Sequence, residues 1–400
     1  MIDRPGYLEK LLRWKDRDVI KVVTGVRRCG KSTLLTLFMS ELERLGVPPE
    51  RIISINFERL EYEHLLDYHA LHDEVVGRAQ TGSMNYVLLD EVQNVPEFQR
   101  VIDSLYVRDN IDLYVTGSNA LLLGGTLATL LSGRYVEINM LPLSFGEYRT
   151  ALGGSVSPSR AYRRYIERGS FPATMDFSDD ALTLHDYLNG ILNTVLLKDV
   201  AQRLNISNNL GLRALVTYLF DNIGNLTSAK RISDAIASTG TKISANTVME
   251  YLSALCDSFI FYPASRYDVR GRRVLKLQQK YYAVDLGMRR TALSGRVRDT
   301  GRILENVVYL ELRRRFGEVY VGRTGDLEID FVAIGPEGPE YFQVAESAVQ
   351  EQTLGRELAP LRAVRDNRPK TLITMDDADP GDHDGIRRVF ALEWLEEVYR

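Results

Sequence analysis

TGVRRCGKST, residues 24–33, decides the reading of this chain. Gly25 to Ser32 fits GxxxxGK[ST] at every fixed position. The stretch lies between an apolar run, VIKVVTGV (19–26), and a helical pattern, KSTLLTLFMSELERLG (31–46), that Gly46 ends. A strand, a glycine turn and a helix form the context in which this spacing makes a phosphate cradle, or P-loop. Glycines let the backbone wrap close to phosphates, and amide groups at a helix N-terminus face the anion. The expected nucleotide contacts are therefore Gly25, Val26, Arg27, Arg28, Cys29, Gly30, Lys31, Ser32 and Thr33. Lys31 is expected to reach the β and γ phosphates, and the Ser32 hydroxyl a Mg²⁺ ion. Arg27 and Arg28 either add charge near the nucleotide or face outward. Cys29 lies beside a helix N-terminus, which lowers a thiol pKa, so inhibition by thiol reagents is expected if it is accessible.

Outward from the loop, strands alternate with helices: RIISINF (51–57), NYVLLDEVQ (85–93), FQRVIDSLYVR (98–108) and IDLYVTGSN (111–119). That alternation predicts a parallel sheet covered on both faces. In VLLDE, four apolar residues deliver Asp90 and Glu91 to a strand end. Asp90 is expected to hold Mg²⁺ and Glu91 to orient or deprotonate the attacking water. In VTGSN, Ser118 or Asn119 either touches the γ-phosphate or water, or makes a turn. Arg134 starts a further strand expected near the same edge, as an arginine finger acting on a neighbouring subunit or as a surface arginine.

The chain has 400 residues, 26% charged and 44% hydrophobic, with a net charge of −4. Its length predicts two to four domains at about 150 residues each. With no net basic charge, nucleic-acid binding must come from a local patch. Two cysteines, Cys29 and Cys256, outside any CxxC or Cys/His cluster, argue against a disulfide framework or a structural zinc site. The N-terminus lacks a signal-peptide core and no window suits a membrane helix, so a cytoplasmic chain with no membrane partner is expected.

The middle reads as a helical connector or lid (151–215), then a helix (RISDAIAST), a turn, a helix (SANTVMEYLSALCDS) and a hairpin turning near Val269-Arg270-Gly271. That order predicts a winged helix-turn-helix over 216–285. Lys242, Ser244, Asn246 and Thr247 open the second helix, where DNA readers place base contacts. Arg270, Arg272, Arg273, Lys276 and Lys280 on the hairpin suit phosphates. The alternative is a protein-docking module, since Glu250 and Asp257 would repel phosphate.

Residues 286–400 read as helix, three strands, helix, strand. Glu305 lies on an apolar helical stripe with Val308, Tyr309 and Leu312, and Glu328 and Asp330 share one strand face. This is the layout of a PD-(D/E)xK nuclease core, with Glu305, Asp330 and Gln343 as a second candidate metal site. The lysine position is Ala345 and one ligand position is the neutral Gln343; Lys370 is a candidate to reach in instead. The expectation is a nuclease-like α/β domain with an incomplete, inactive site.

The chain resembles the bacterial and archaeal AAA-family predicted ATPases of AAA_14 type with a C-terminal DUF4143 domain. The resemblance rests on TGVRRCGKSTLL, INFE, VLLDEVQNVPEF, VTGSNALLL, LSGRYVEINMLPLSFGEY, GSFP, KDV, KYYAVDLG, LENVVYLEL, EIDFV, FQVAES and the RE of GRELAPL, in order along nearly the whole chain. It implies an ATP-binding P-loop domain (1–150), a winged helix and a nuclease-related terminal fold, with ATP and Mg²⁺ as ligands. The expected function is an ATPase acting on DNA, with a second copy of the chain as a candidate partner. The alternatives are an ATP-gated Mg²⁺-dependent nuclease and a STAND-like ATP switch that binds a protein partner.

Overall fold

The computed structural model of the chain describes residues 2–120, 133–153, 156–177, 180–206, 209–295, 299–377 and 381–397, with backbone only at 276 and 277. The motif residues 121–123 and 131–132 lie outside the described residues. The chain forms two compact units, Met1–Pro142 with Asp257–Phe259, and Leu143–Cys256 with Ile260–Arg400.

The first unit is built on β1 (Ile20–Thr24), β2 (Ile52–Asn56), β3 (Asn85–Asp90), β4 (Ile111–Gly117) and β5 (Tyr135–Asn139). Their order is β2-β3-β4-β1-β5 and every pairing is parallel. A parallel pair needs a crossover, and helices supply it: α1 (Pro5–Arg13) precedes the sheet, and α2 (Lys31–Arg44), α3 (Tyr68–Arg78) and α4 (Phe98–Tyr106) connect its strands. Every residue of β1, β3 and β4 is buried, so these strands read as apolar runs rather than alternating ones. Ile20, Val22, Ile53, Ile55, Val87, Leu89, Leu113 and Val115 pack with Leu71, Val75, Phe98, Ile102 and Leu105 of the helices. Because β1 lies beside β4, with β3 next, the chain segments leaving these three strands emerge at one sheet edge. Ligands of such sheets bind outside the C-terminal ends of the strands.

The second unit carries an eight-stranded sheet. Its strands are β6 (Phe261–Asp268), β7 (Arg273–Ala283), β8 (Glu318–Thr324), β9 (Leu327–Gly335), β10 (Gly338–Ala345), β11 (Lys370–Thr374), β12 (Gly381–Asp382) and β13 (Arg387–Phe390). The order is β12-β13-β11-β10-β9-β8-β6-β7. The helices expected at 231–239 and 244–258 span Ala229–Ser238 and Ala245–Asp257, and Ser244 Oγ accepts the Thr247 amide at 3.1 Å as the cap should. The β6–β7 hairpin does not stand apart from the terminal strands. Arg266, Tyr267 and Asp268 pair in parallel with Val321, Gly322 and Arg323, so one sheet runs across residue 285, where the sequence reading put a boundary.

GSFP and AVDLG, apart in sequence, meet in this unit. Asp285 caps the helix Leu286–Ala292 through the Met288 amide, and it also accepts hydrogen bonds from the amide and hydroxyl of Ser170. Gly287 lies so close that an added Cβ would stand 2.6 Å from the Gly169 nitrogen. Among the described residues no helix is long and apolar enough to cross a membrane.

Candidate nucleotide site

The P-loop joins β1 to α2. Gly30 precedes the helix in a left-handed conformation (φ 106°) that a side chain would strain. Gly25 (φ 150°) presses against the backbone that follows β5, and an added Cβ would stand 2.2 Å from the Met140 carbonyl oxygen. Buried Arg4 holds the loop from beneath, with Nη1 donating to the Cys29 carbonyl at 3.1 Å and Nη2 to the Leu141 carbonyl at 2.7 Å. Tyr7 accepts the Leu141 amide. Nothing in the sequence pattern singled out Arg4 or Tyr7, because their partners are backbone groups.

Lys31 starts α2 with its side chain buried. Its Nζ donates to the Gly25 carbonyl at 3.1 Å and stands 3.3 Å from Glu91 Oε1. Glu91 follows β3 in a left-handed conformation (φ 55°, ψ 48°), which is strained for a non-glycine residue and common at functional sites. Burial alone would raise its pKa, but the Lys31 charge, a hydrogen bond from Gln93 and the Arg27 charge hold the carboxyl below its ordinary range. Asp90 is fixed from two sides, by Asn56 Nδ2 at 2.7 Å and by the Thr116 hydroxyl. Thr116 also accepts the Glu91 amide at 2.9 Å, so one hydroxyl on β4 sets both acids. The sequence reading named Ser118 and Asn119 and passed over Thr116 and Asn56; the signal was their place at the ends of neighbouring strands. The Ser118 hydroxyl is buried with no hydrogen-bond partner among the described residues.

Residues 17–149 match the AAA_14 family, described as an AAA domain. An uncharacterized protein of Haemophilus influenzae is 38% identical over 99% of this chain and 98% of its own length. The chain belongs to the AAA-family predicted ATPases. An uncharacterized protein of Methanocaldococcus jannaschii is 29% identical over 81% of this chain and 74% of its own. Among solved structures, the Walker-type ATPase of Pyrococcus abyssi is 15% identical with a TM-score of 0.49, covering 73% of this chain and 96% of that one. Residues 159–299 match a second family, described as a domain of unknown function, DUF8612, a description different from the DUF4143 domain of the sequence resemblance.

Several expectations for this AAA-family chain need correction. Cys29 is fully buried, and burial pushes its thiol up despite the nearby Lys31 and Arg4 charges, so the helix N-terminus does not make it reactive. Arg134 is not at the P-loop edge. Its carbonyl accepts the Ile20 amide at the start of β1, about 15 Å along a strand from the end where the P-loop begins. Its guanidinium pairs with Asp103 at 3.0 Å and covers the Tyr106 ring. Lys280, grouped with the phosphate-binding residues, is buried. Of the loop arginines, Arg27 faces Glu58 at 3.8 Å, and Arg28 is exposed with φ 67°. Ser32 is exposed at the helix start and Thr33 is half-buried.

In the second unit Lys242, two residues before the Ser244 cap, and Asn246, in the first turn of the helix, are exposed. Arg270, Arg272 and Arg273 are exposed at the hairpin turn, with Arg273 3.8 Å from Asp268. Only the backbone of Lys276 is described. Arg270 and Arg272 line a cavity of about 460 Å³ with Thr324, Arg365 and Asp366.

The second acid cluster does not fit a divalent ion. Lys280 Nζ lies 2.9 Å from Glu305 Oε1 and 3.0 Å from Glu328 Oε1. Gln343 accepts the Asp330 amide and donates to Glu357 at 3.1 Å, so its polar groups are already engaged. Asp330 accepts the Val344 amide; burial and the Glu305 charge push its carboxyl up. Lys370 does not reach in: its Nζ donates to the Val364 and Asp366 carbonyls. Among the described residues no group of three or more His, Cys, Asp or Glu side chains is arranged to hold a metal.

Proposed function

We propose that the chain binds and hydrolyses ATP at the P-loop and uses the cycle to work on DNA. The observation that carries the first half is the buried Lys31–Glu91 pair next to Asp90, with Thr116 setting both acids. The orphaned Ser118 hydroxyl and the two constrained glycines fit a phosphate chain. Lys31 is the residue that would neutralise the β and γ phosphates. Ser32 and Asp90 would hold Mg²⁺, which when bound with ATP spreads the charge of the transferring phosphoryl group. Asp90 has acceptor capacity left after its two hydrogen bonds, because a carboxylate offers about four lone-pair sites. Glu91, held ionised by its neighbours, would orient the attacking water and accept its proton. The Ser118 hydroxyl would donate to the γ-phosphate.

The DNA half rests on the hairpin. Arg270 and Arg272, with Arg365 across the cavity, offer three guanidinium groups, which match phosphate oxygens in pairs. Exposed Lys242 precedes, and exposed Asn246 opens, the helix expected to approach bases. A protein-docking reading is favoured by the next turn of the same helix face, where Met249 is 54% exposed beside exposed Glu250, three and four residues on from Asn246. Steady-state ATP hydrolysis with and without double- and single-stranded DNA separates them, with Lys31→Ala as the blank. The expected result is turnover that Lys31→Ala abolishes, DNA stimulates, and Arg270→Ala/Arg272→Ala uncouples from DNA. Turnover indifferent to DNA favours the docking reading.

A further inference from the structure

We infer that Lys280 is the resident cation of the acid cluster in the second unit, standing where a nuclease-like arrangement would hold a divalent ion, so that this module takes no metal. The inference is independent of the ATP site.

Three elements build the cluster: β7 brings Lys280, the helix Thr300–Phe316 brings Glu305, and β9 brings Glu328 and Asp330. The ammonium spends two donors on two different carboxylates. Glu305 Oε1 accepts from Lys280 and from the Tyr282 hydroxyl at 2.6 Å, so this oxygen already carries two donors. A divalent cation ligated there would meet the ammonium at close range, and like charges repel strongly where water is scarce.

The lysine is held in this place by its surroundings. Buried Asn306, next to Glu305, accepts the Ala283 amide at 2.8 Å and donates to the Ala283 carbonyl at 2.9 Å. That pair fixes the register of β7 against the helix three residues beyond Lys280. Gly224 closes over the acid, since a Cβ there would lie 3.2 Å from Glu305 Oε2. Two other positions of the nuclease-like reading agree. Ala345 occupies the position of the usual lysine, and Gln343 has turned its amide to Glu357 and to the Asp330 backbone. Lys280 thereby joins the hairpin to the terminal strands by charge as well as by the β6–β8 pairing.

The test is Mn²⁺ binding to the full chain without nucleotide, read by the electron paramagnetic resonance of the free ion. Wild type is expected to leave Mn²⁺ free. Lys280→Ala removes the positive charge from three carboxylates and is expected to gain one bound Mn²⁺ per chain, tightening affinity roughly tenfold or more, since carboxylate charge sets the affinity for hard cations. Lys280→Ala/Glu305→Gln is expected to lose that gain, and Lys280→Arg to behave as wild type. Lys280→Gln, nearly isosteric, serves if Lys280→Ala does not fold. A folded Lys280→Ala or Lys280→Gln that binds no more Mn²⁺ than wild type overturns the inference. So does one Mn²⁺ bound by wild type and lost in Glu305→Gln, or Mn²⁺-dependent DNA cleavage abolished by Asp330→Ala.

Discussion

Lys31 Nζ and Glu91 Oε1 stand 3.3 Å apart, both side chains buried beside the P-loop glycines. The two groups proposed to handle phosphate and water are therefore partners of each other, and a phosphate chain must compete with Glu91 for the lysine. Removing each gives a different result. Lys31→Ala should lose both nucleotide binding and turnover. Glu91→Gln should keep binding, because the lysine is released, while turnover falls by about 10²–10⁴, the usual contribution of a positioned general base. Binding of a fluorescent ATP analogue beside phosphate release checks this; a Glu91→Gln variant with wild-type turnover would remove Glu91 from the reaction.

Cys29 should be the slow thiol of the chain. It is fully buried with its pKa raised by burial, whereas Cys256 is partly exposed. Thiolate is the reacting form, so a raised pKa and lack of access act together. In a time course with a chromogenic disulfide, Cys256→Ser should remove the fast phase, and the remaining thiol should react only as the chain opens. Brief treatment should leave ATP turnover unchanged. Fast labelling of Cys29 in the folded chain would contradict its burial.

What was legible in the sequence was what local pattern encodes. The P-loop spacing, the apolar runs of β1, β3 and β4, and the helices Ala229–Ser238 and Ala245–Asp257 follow from periodicity, caps and glycines, and their observed bounds differ by only a few residues. Side-chain direction was not legible. Lys280 reads as one more basic residue in a hairpin until β6 pairs with β8 and brings it to Glu305. Arg134 reads as a neighbour of the P-loop until the parallel β1–β5 register places it at the opposite strand end. Thr116 reads as an ordinary β-branched strand residue, because its role depends on which strand lies beside β4. Each of these depends on long-range pairing, which no local window contains.

Lys21 and Asp112 form a buried ion pair between β1 and β4, at the strand ends away from the P-loop. Asp112 also accepts from the Tyr114 hydroxyl at 2.8 Å and the Asp16 amide at 2.9 Å. Burial lowers the Lys21 pKa and Asp112 opposes that shift, so the ammonium depends on its partner. Asp112→Ala strands a charge in the sheet and should cost about 3–5 kcal/mol of stability. Lys21→Met/Asp112→Leu removes both charges and should recover most of that loss. Urea unfolding midpoints compare the two variants; equal losses would mean that packing, not charge, dominates there.

Arg4 and Gly25 support the P-loop by different means, and their variants should separate accordingly. Arg4 acts by hydrogen bonds from a buried guanidinium to the Cys29 and Leu141 carbonyls. A charged hydrogen bond contributes about 1.5–3 kcal/mol. Arg4→Met keeps most of the volume and should lower stability by about that amount while letting the loop shift. Weaker ATP-analogue binding with turnover at saturation largely kept is therefore expected. Gly25 has no such latitude. An added Cβ would lie 2.2 Å from the Met140 carbonyl oxygen, and the Met140 amide is tied at 2.7 Å to the Thr24 carbonyl just before the loop, so neither side can retreat. Gly25→Ala should abolish analogue binding even at protein concentrations where Arg4→Met still binds. The order of the two variants checks the loop geometry directly. Normal binding by Gly25→Ala would mean that the turn at Gly25 is not the conformation in which phosphate is held.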